Sequence, residues 1–295
     1  MPHTAEPPAD TLRKQILLTN DDGIGSPGLW AAAQALAPLG YVTVAAPREQ
    51  WSGAGRSMPV QTAGSIFVQD VNVNGQNWRV YAIDGTPAQV VQHSLVELMP
   101  RYPDLIVAGI NYGENVGSGV TISGTIGAAL EGASFGVPGL AVSLQTDARY
   151  HLSHSTDIDF TAAALFTHKF AKLMLSTQRP PDVDVLKIEV PEGAGQQTPW
   201  RITRLSRTRY YMPQKPVRPN LGDEIKIGYN RTVEPERLEP DSDVRALVDG
   251  VVSVTPLSID ITSRVDLATI AALLGQTGPD EPPVQVPPGL PSKDI

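Results

Sequence analysis

Gln15-Ile16-Leu17-Leu18-Thr19-Asn20-Asp21-Asp22-Gly23 is an apolar run of strand length that stops on an amide, two acids and a glycine. A strand covered on both faces reads as a continuous apolar run, and parallel sheets are built from such strands. Gly23-Ile24-Gly25-Ser26-Pro27-Gly28 comes next, then Leu29 to Leu36, alanine-rich and apolar at helical spacing. Ser26 suits the N-cap of that helix and Pro27 its first turn. Gly40 closes the segment, and Tyr41 to Ala46 is a second strand. A β-α-β unit with so short a crossover predicts a parallel sheet with helices packed on it.

The same alternation continues outward. A Gly/Ser-rich loop runs from Pro47 to Pro59, and residues 65–83 alternate as a hairpin turning at Asn74-Gly75. Thr86-Pro87 opens a helix reaching Met99, Asp104 to Asn111 is a buried strand, and Thr125 to Phe135 is a helix of small residues. Leu140 to Leu144 is a strand, Phe160 to Leu175 an amphipathic helix and Val185 to Val190 a strand. Residues 200–262 are richer in Pro and Arg and predict a β-rich appendage, with a last helix from Leu267 to Leu274. The predicted organisation is a disordered lead at 1–14, an α/β Rossmann-like core at 15–195, a β-rich arm with the last helix at 196–275 and a Pro-rich tail at 276–295.

Composition removes several classes of function. The chain has no Cys, which excludes disulfides, thiolate metal sites and cysteine nucleophiles. With 23 basic and 31 acidic residues, the net charge of −8 argues against a polymeric nucleic acid as partner. No apolar run reaches membrane-spanning length and the first residues lack the apolar core of a secretory signal, so the cytoplasm is the expected location. The 26 Gly and 27 Pro, roughly half again the average share, put weight on loops and turns.

In an open α/β sheet, ligands bind beyond the carboxyl ends of the strands. Three strand ends here lead into polar residues: Asn20-Asp21-Asp22, Ser52-Gly53 and Asn111. Asp-Asp-Gly alone reads as a capping turn. Adjacent carboxylates repel, however, and a cation between them reverses the sign. With neutral oxygens at neighbouring strand ends, the set suits Mg²⁺ or Mn²⁺. Gly109 to Gly119 is glycine-rich and leads to Ser123-Gly124-Thr125 at a helix start, where free amides and two hydroxyls suit an anion. By themselves these are an ordinary N-cap and flexible glycines.

Taken together, Ile16 to Gly23, Ala46-Pro47 with Ser52-Gly53-Ala54, Gly85-Thr86-Pro87, Gly109-Ile110-Asn111, Asn115, Ser123-Gly124-Thr125, Ala128 to Gly132, Ala141-Val142-Ser143 and Val252 to Leu257 resemble the SurE family. These are metal-dependent 5′-nucleotidases, also called survival protein E. The resemblance implies one divalent ion per subunit, Mg²⁺ or Mn²⁺, on Asp21, Asp22, Ser52 and Asn111. It implies substrate binding by Asn115, Ser123, Gly124 and Thr125, with Asp21, Asp22, Asn115 and Ser123 as the catalytic set. The implied reaction removes phosphate from nucleoside monophosphates, with 3′-nucleotides or short polyphosphate as side substrates. The implied assembly is a homodimer or homotetramer that exchanges the C-terminal arm. The residues leave open whether a water or an Asp carboxylate attacks phosphorus. Gly25, Trp51, Gly55 and Ala88-Gln89-Val90 depart from the family pattern without removing a metal ligand, and bear on base and sugar preference.

Other readings compete. Gly23 to Gly28 matches G-x-G-x-x-G, but a dinucleotide pyrophosphate would meet Asp21-Asp22 there, and the second strand ends without an acid for the ribose. Asp157-Ile158-Asp159-Phe160-Thr161 has the spacing of a phosphatase motif but follows no buried strand, so it reads as a helix cap. His151 and His154 read as a solvated loop, and Arg201, Arg204, Arg207 and Arg209 as a solvated strand face. A non-catalytic nucleotide sensor would use the same pocket.

Overall fold

Leu17 points to one face of the first strand and Ile16 and Leu18 to the other, and all three are fully buried. A strand covered in this way must lie inside a sheet with helices on both sides. The computed structural model describes residues 13–275, and the lead and the Pro-rich tail lie largely or wholly outside them. Its strands are β1 (Gln15–Thr19), β2 (Tyr41–Pro47), β3 (Ile66–Val73), β4 (Gln76–Ile83), β5 (Leu105–Tyr112), β6 (Gly139–Leu144), β7 (Val185–Val190), β8 (Trp200–Ile202), β9 (Tyr211–Pro213), β10 (Tyr229–Arg231) and β11 (Val252–Leu257). The main sheet has nine strands in the order β3-β4-β2-β1-β5-β6-β7-β11-β8. From β4 through β7 every pair is parallel, while β3 and β11 run antiparallel to their neighbours β4 and β7.

Helices α1 (Pro27–Leu36), α2 (Pro87–His93), α3 (Gly124–Ser134) and α4 (Thr161–Ser176) flank the sheet. α1 and α4 share one apolar layer with Ile16 and Leu18, and α2 and α3 share the other with Leu17. This is the expected α/β architecture. Thr86 and Gln89 form a capping box at α2. The helix expected to reach Met99 leaves α geometry after His93 and finishes as a π-helical turn at Ser94–Leu98. The hairpin turns at Asn74 and Gly75, both with positive φ, as a type I′ turn needs.

The sheet does not end at residue 195. β8 and β11, from the segment expected to be a separate arm, are its last two strands, because β11 pairs with β7 over five residues. What remains of that segment is the two-stranded β9–β10 hairpin and a short helix not foreseen, α5 (Asp243–Val248). Ser242 caps α5, and Val244 and Leu247 bury against Val116, Tyr210 and Leu238. A second compact unit begins at Asp260 and holds α6 (Leu267–Leu273), capped by the Asp266 side chain. Among the described residues no helix is long and apolar enough to cross a membrane.

Candidate active site

A cavity of about 500 Å³ opens beyond the carboxyl ends of β1 and β5. Asp21, Ser52, Asn111, Asn115 and Ser123 line one side, and Arg209, Tyr211, Tyr229 and His151 are also in its wall. The strand ends place the first group. After β1 the Asn20 side chain accepts from the Gly23 amide (3.1 Å) and donates to the Gly23 carbonyl (3.0 Å), which fixes the turn carrying Asp21 and Asp22. The Trp51 amide donates to the Asp21 carbonyl (2.8 Å) and brings the Ser52 loop alongside.

Asp21 is only 5 % exposed, yet its carboxylate is well served. Thr125 Oγ1 donates to Oδ1 at 2.6 Å, and the amides of Gly124 and Thr125 at the start of α3 also bond to it. Gly124 is required for this approach, since a Cβ there would lie 2.7 Å from the Asp21 Cβ. Burial nonetheless holds the Asp21 pKa above the ordinary carboxylate value. Asp22 is raised further, by burial and then by the charge of Asp21. Its oxygens accept from Gln50 Nε2 (2.8 Å) and the Tyr112 amide (3.2 Å), and it stands behind the cavity wall rather than in it.

The Asn111 amide group donates to the carbonyls of Tyr112 (3.2 Å) and Gly113 (2.6 Å). With both of its protons committed, Oδ1 is the atom left for a ligand, and only a cation or a donor suits it. Asn115 commits one Nδ2 proton, to Ser143 Oγ at 3.0 Å, and keeps the other. Ser123 Oγ accepts from the Ile126 amide (3.2 Å) as helix cap and keeps its proton for the cavity. Among the described residues no three His, Asp or Glu side chains gather as a metal cluster. A cation here would be held by the Asp21 carboxylate and the neutral oxygens of Ser52 and Asn111, with the Asp22 charge behind them, a hard donor set that fits Mg²⁺ or Mn²⁺.

The structure revises four expectations. Thr125 does not reach the cavity. It is fully buried and its hydroxyl proton goes to Asp21, while the α3 amides expected to cradle phosphate already serve that carboxylate. His151 is not a solvated loop residue; it is 9 % exposed, with Nδ1 3.1 Å from the Tyr229 hydroxyl, and burial lowers its pKa. The His154 ring bonds to the Asp22 carbonyl at 2.8 Å. Arg209 lines the cavity, whereas Arg201 and Arg204 pair with Asp249 and Asp241 at the surface. Asp159 behaves as read, accepting from the Thr161 amide at the start of α4.

Sequence reasoning missed the far wall. Glu114 is 2 % exposed and accepts from the Tyr210 hydroxyl (2.7 Å) and Arg231 (2.8 Å), so one carboxylate ties the β9–β10 hairpin to the loop carrying Asn111 and Asn115. Tyr211 packs edge-on to Tyr229 at 5.2 Å. An acid and two tyrosines separated by about a hundred residues carry no local pattern.

The fold and this constellation have relatives. The profile described as Survival protein SurE matches residues 16–212. This chain belongs to the SurE family. A 5′-nucleotidase SurE of Thermococcus gammatolerans is 40 % identical over 261 residues, 88 % of this chain and 96 % of that one. A 5′-nucleotidase SurE of Archaeoglobus fulgidus is 41 % identical over 253 residues, 85 % of this chain and 94 % of that one. The crystal structure of the SurE protein from Aquifex aeolicus superposes with a TM-score of 0.70 at 30 % identity, covering 88 % of this chain and 99 % of that one. The matched residues thus include the Asp21-Asp22 turn and the loop from Asn111 to Ser123.

Proposed function

We propose that this SurE protein is a divalent-metal-dependent phosphomonoesterase that hydrolyses nucleoside 5′-monophosphates to nucleoside and phosphate. The observation that carries the reading is one cavity holding an oxygen-only donor set together with an aromatic and cationic wall. The relatives named 5′-nucleotidase SurE support it. Asp21, Ser52 and Asn111 would hold the ion, with Asp22 adding charge behind them. Such an ion supplies Lewis acidity at a phosphoryl oxygen and lowers the pKa of water. Ser123 donates its free proton to the phosphoryl group, and Asn115 orients it through the Nδ2 proton that Ser143 does not take. Thr125 and Gly124 act through Asp21: their hydrogen bonds oppose the burial that would otherwise keep it protonated. Tyr211 and Tyr229 offer ring faces to a nucleobase, and Arg209 a guanidinium.

Phosphate release from a panel of 5′- and 3′-nucleotides and short polyphosphates, with Mg²⁺, Mn²⁺ or EDTA, tests the reading. Turnover of 5′-monophosphates that EDTA abolishes is expected. Tight nucleotide binding without turnover would make the protein a sensor, and metal-independent NADH binding would restore the dinucleotide reading. Thr125→Val is expected to weaken Mn²⁺ binding about tenfold, the worth of one charge-assisted hydrogen bond. KM at saturating Mn²⁺ should stay within about threefold in that variant. A raised KM with unchanged metal affinity would put Thr125 back on the phosphate.

The same reading includes a homodimer or homotetramer that exchanges the C-terminal arm between subunits. Val217 at 90 %, Leu221 at 96 % and Ile227 at 64 % exposure support it, since the excursion between β9 and β10 leaves large apolar side chains uncovered.

A further inference from the structure

A lysine with no solvent exposure is rare and must be paired. Lys187 and Glu189 occupy alternate positions of β7, an otherwise apolar central strand, and both are 0 % exposed, as is Asp243 at the start of α5. All three protons of the Lys187 ammonium have partners: Asp243 Oδ2 (3.0 Å), Glu189 Oε1 (3.4 Å) and the Asn115 carbonyl (3.1 Å). The other Glu189 oxygen accepts from the Asn115 amide at 2.9 Å. Asp243 accepts from the amides of Gly117 (3.0 Å), Ser206 (2.9 Å) and Val244 (2.8 Å). Both backbone polar groups of Asn115 and the amide of Gly117 therefore end in one buried charge cluster, and the Asn115 side chain alone faces the cavity.

We infer that Lys187 and Glu189 are positioning residues for the nucleotidase reaction: they grip the backbone of Asn115 from both sides and so aim its side chain at the phosphoryl group. This rests on the proposed function for the role of Asn115. The grip itself does not, because it is a matter of hydrogen bonds within this chain. Loops carrying reactive groups are mobile unless their amides are held, and a misplacement of about 1 Å lowers the rate severely. A cluster serving stability alone would be expected to bond to the sheet and α5. Here two of its bonds fall on one residue of the site.

Side-chain length separates the two roles. Glu189→Asp keeps the charge but falls one methylene short of the Asn115 amide. Glu189→Gln keeps the reach and one acceptor, enough for the Asn115 amide, but loses the charge and turns an NH2 group toward Lys187. For the Asp variant the expected result is kcat lower by roughly 10- to 100-fold, as for partners that orient a reacting group, with KM within about threefold. For the Gln variant kcat should stay within about threefold of wild type. Hydrogen exchange at the Asn115 amide, read by NMR, should speed up at least tenfold in the Asp variant and stay protected in the Gln variant. That measurement stands even if wild type turns over none of the nucleotides, an outcome that would overturn the proposed function instead. Unchanged Asn115 exchange in the Asp variant, or equal loss of kcat in both variants with matching falls in melting temperature, would overturn the positioning role.

Discussion

Asp21→Asn is expected to lose three or more orders of magnitude in kcat/KM while melting at or above the wild-type temperature when no metal is added. The two effects share one cause. Asp21 is a buried carboxylate beside a second one, and burial holds both above the ordinary carboxylate pKa. A raised pKa means that the protonated forms favour folding, so the contribution is full at acid pH and is lost as pH rises and the pair ionises. Asparagine removes one of the repelling charges and keeps an oxygen for Thr125; its NH2 group gives up the bonds from the α3 amides, but burial of the carboxylate charge outweighs those bonds, so the metal-free fold is expected not to lose. The same repulsion is what a divalent ion would relieve, so its removal takes the metal site with it. Thermal melts with and without Mn²⁺ check this directly. The wild-type melting temperature should rise with Mn²⁺, by more at pH 8 than at pH 5, and the Asn variant should respond weakly. Wild-type turnover in the variant would exclude Asp21 from the chemistry.

Lys187→Met is expected to be the most damaging substitution for stability. Removing the cation leaves Glu189 and Asp243 buried without a counter-charge, a change that costs about 3–5 kcal/mol in comparable pairs, or on the order of 10 °C in melting temperature. In the wild type, burial pushes Glu189 up to about 7, against the pull of Lys187, from its ordinary 4.5. The folded value is raised, so the stabilising contribution is complete below pH 4.5 and disappears as pH climbs through 7, on the order of 3 kcal/mol in all. Without Lys187 the Glu189 pKa rises further. The loss caused by Lys187→Met should thus be smaller at pH 5 than at pH 8, and adding Glu189→Gln should recover part of it. Denaturant unfolding at the two pH values measures both effects. A loss independent of pH would mean that the methylenes of Lys187, rather than its charge, carry the packing.

The parallel core was legible because its signals are local. Ile16 to Thr19, Val42 to Ala46 and Leu105 to Ile110 each carry in a few consecutive residues the apolar run that a doubly covered strand needs, and Asn74-Gly75 carries its own turn geometry. The Asp21-Asp22 turn and Asn111 were legible because strand ends point one way in a parallel sheet. Residues 196–259 were harder, since β8 and α5 are short and acquire their order from partners: β11 for the strand, Val116 and Tyr210 for the helix. Lys187 and Glu189 did carry a signal, two charges at alternate positions of an apolar strand, but nothing near them in the chain names what they hold.

Residue order alone thus settled most element types before residue 190, the parallel sheet and which oxygen-bearing residues follow its strand ends, since these follow from backbone sterics and from hydrophobic spacing over a few residues. Packing settled what each side chain does there. Thr125 lies 104 positions from the carboxylate it serves, Glu114 lies 96 from Tyr210, and Lys187 lies 56 from Asp243. Partners that far apart are chosen by which groups meet when the layers close and by the need to satisfy every charge shut away from water, a condition imposed by the folded interior as a whole.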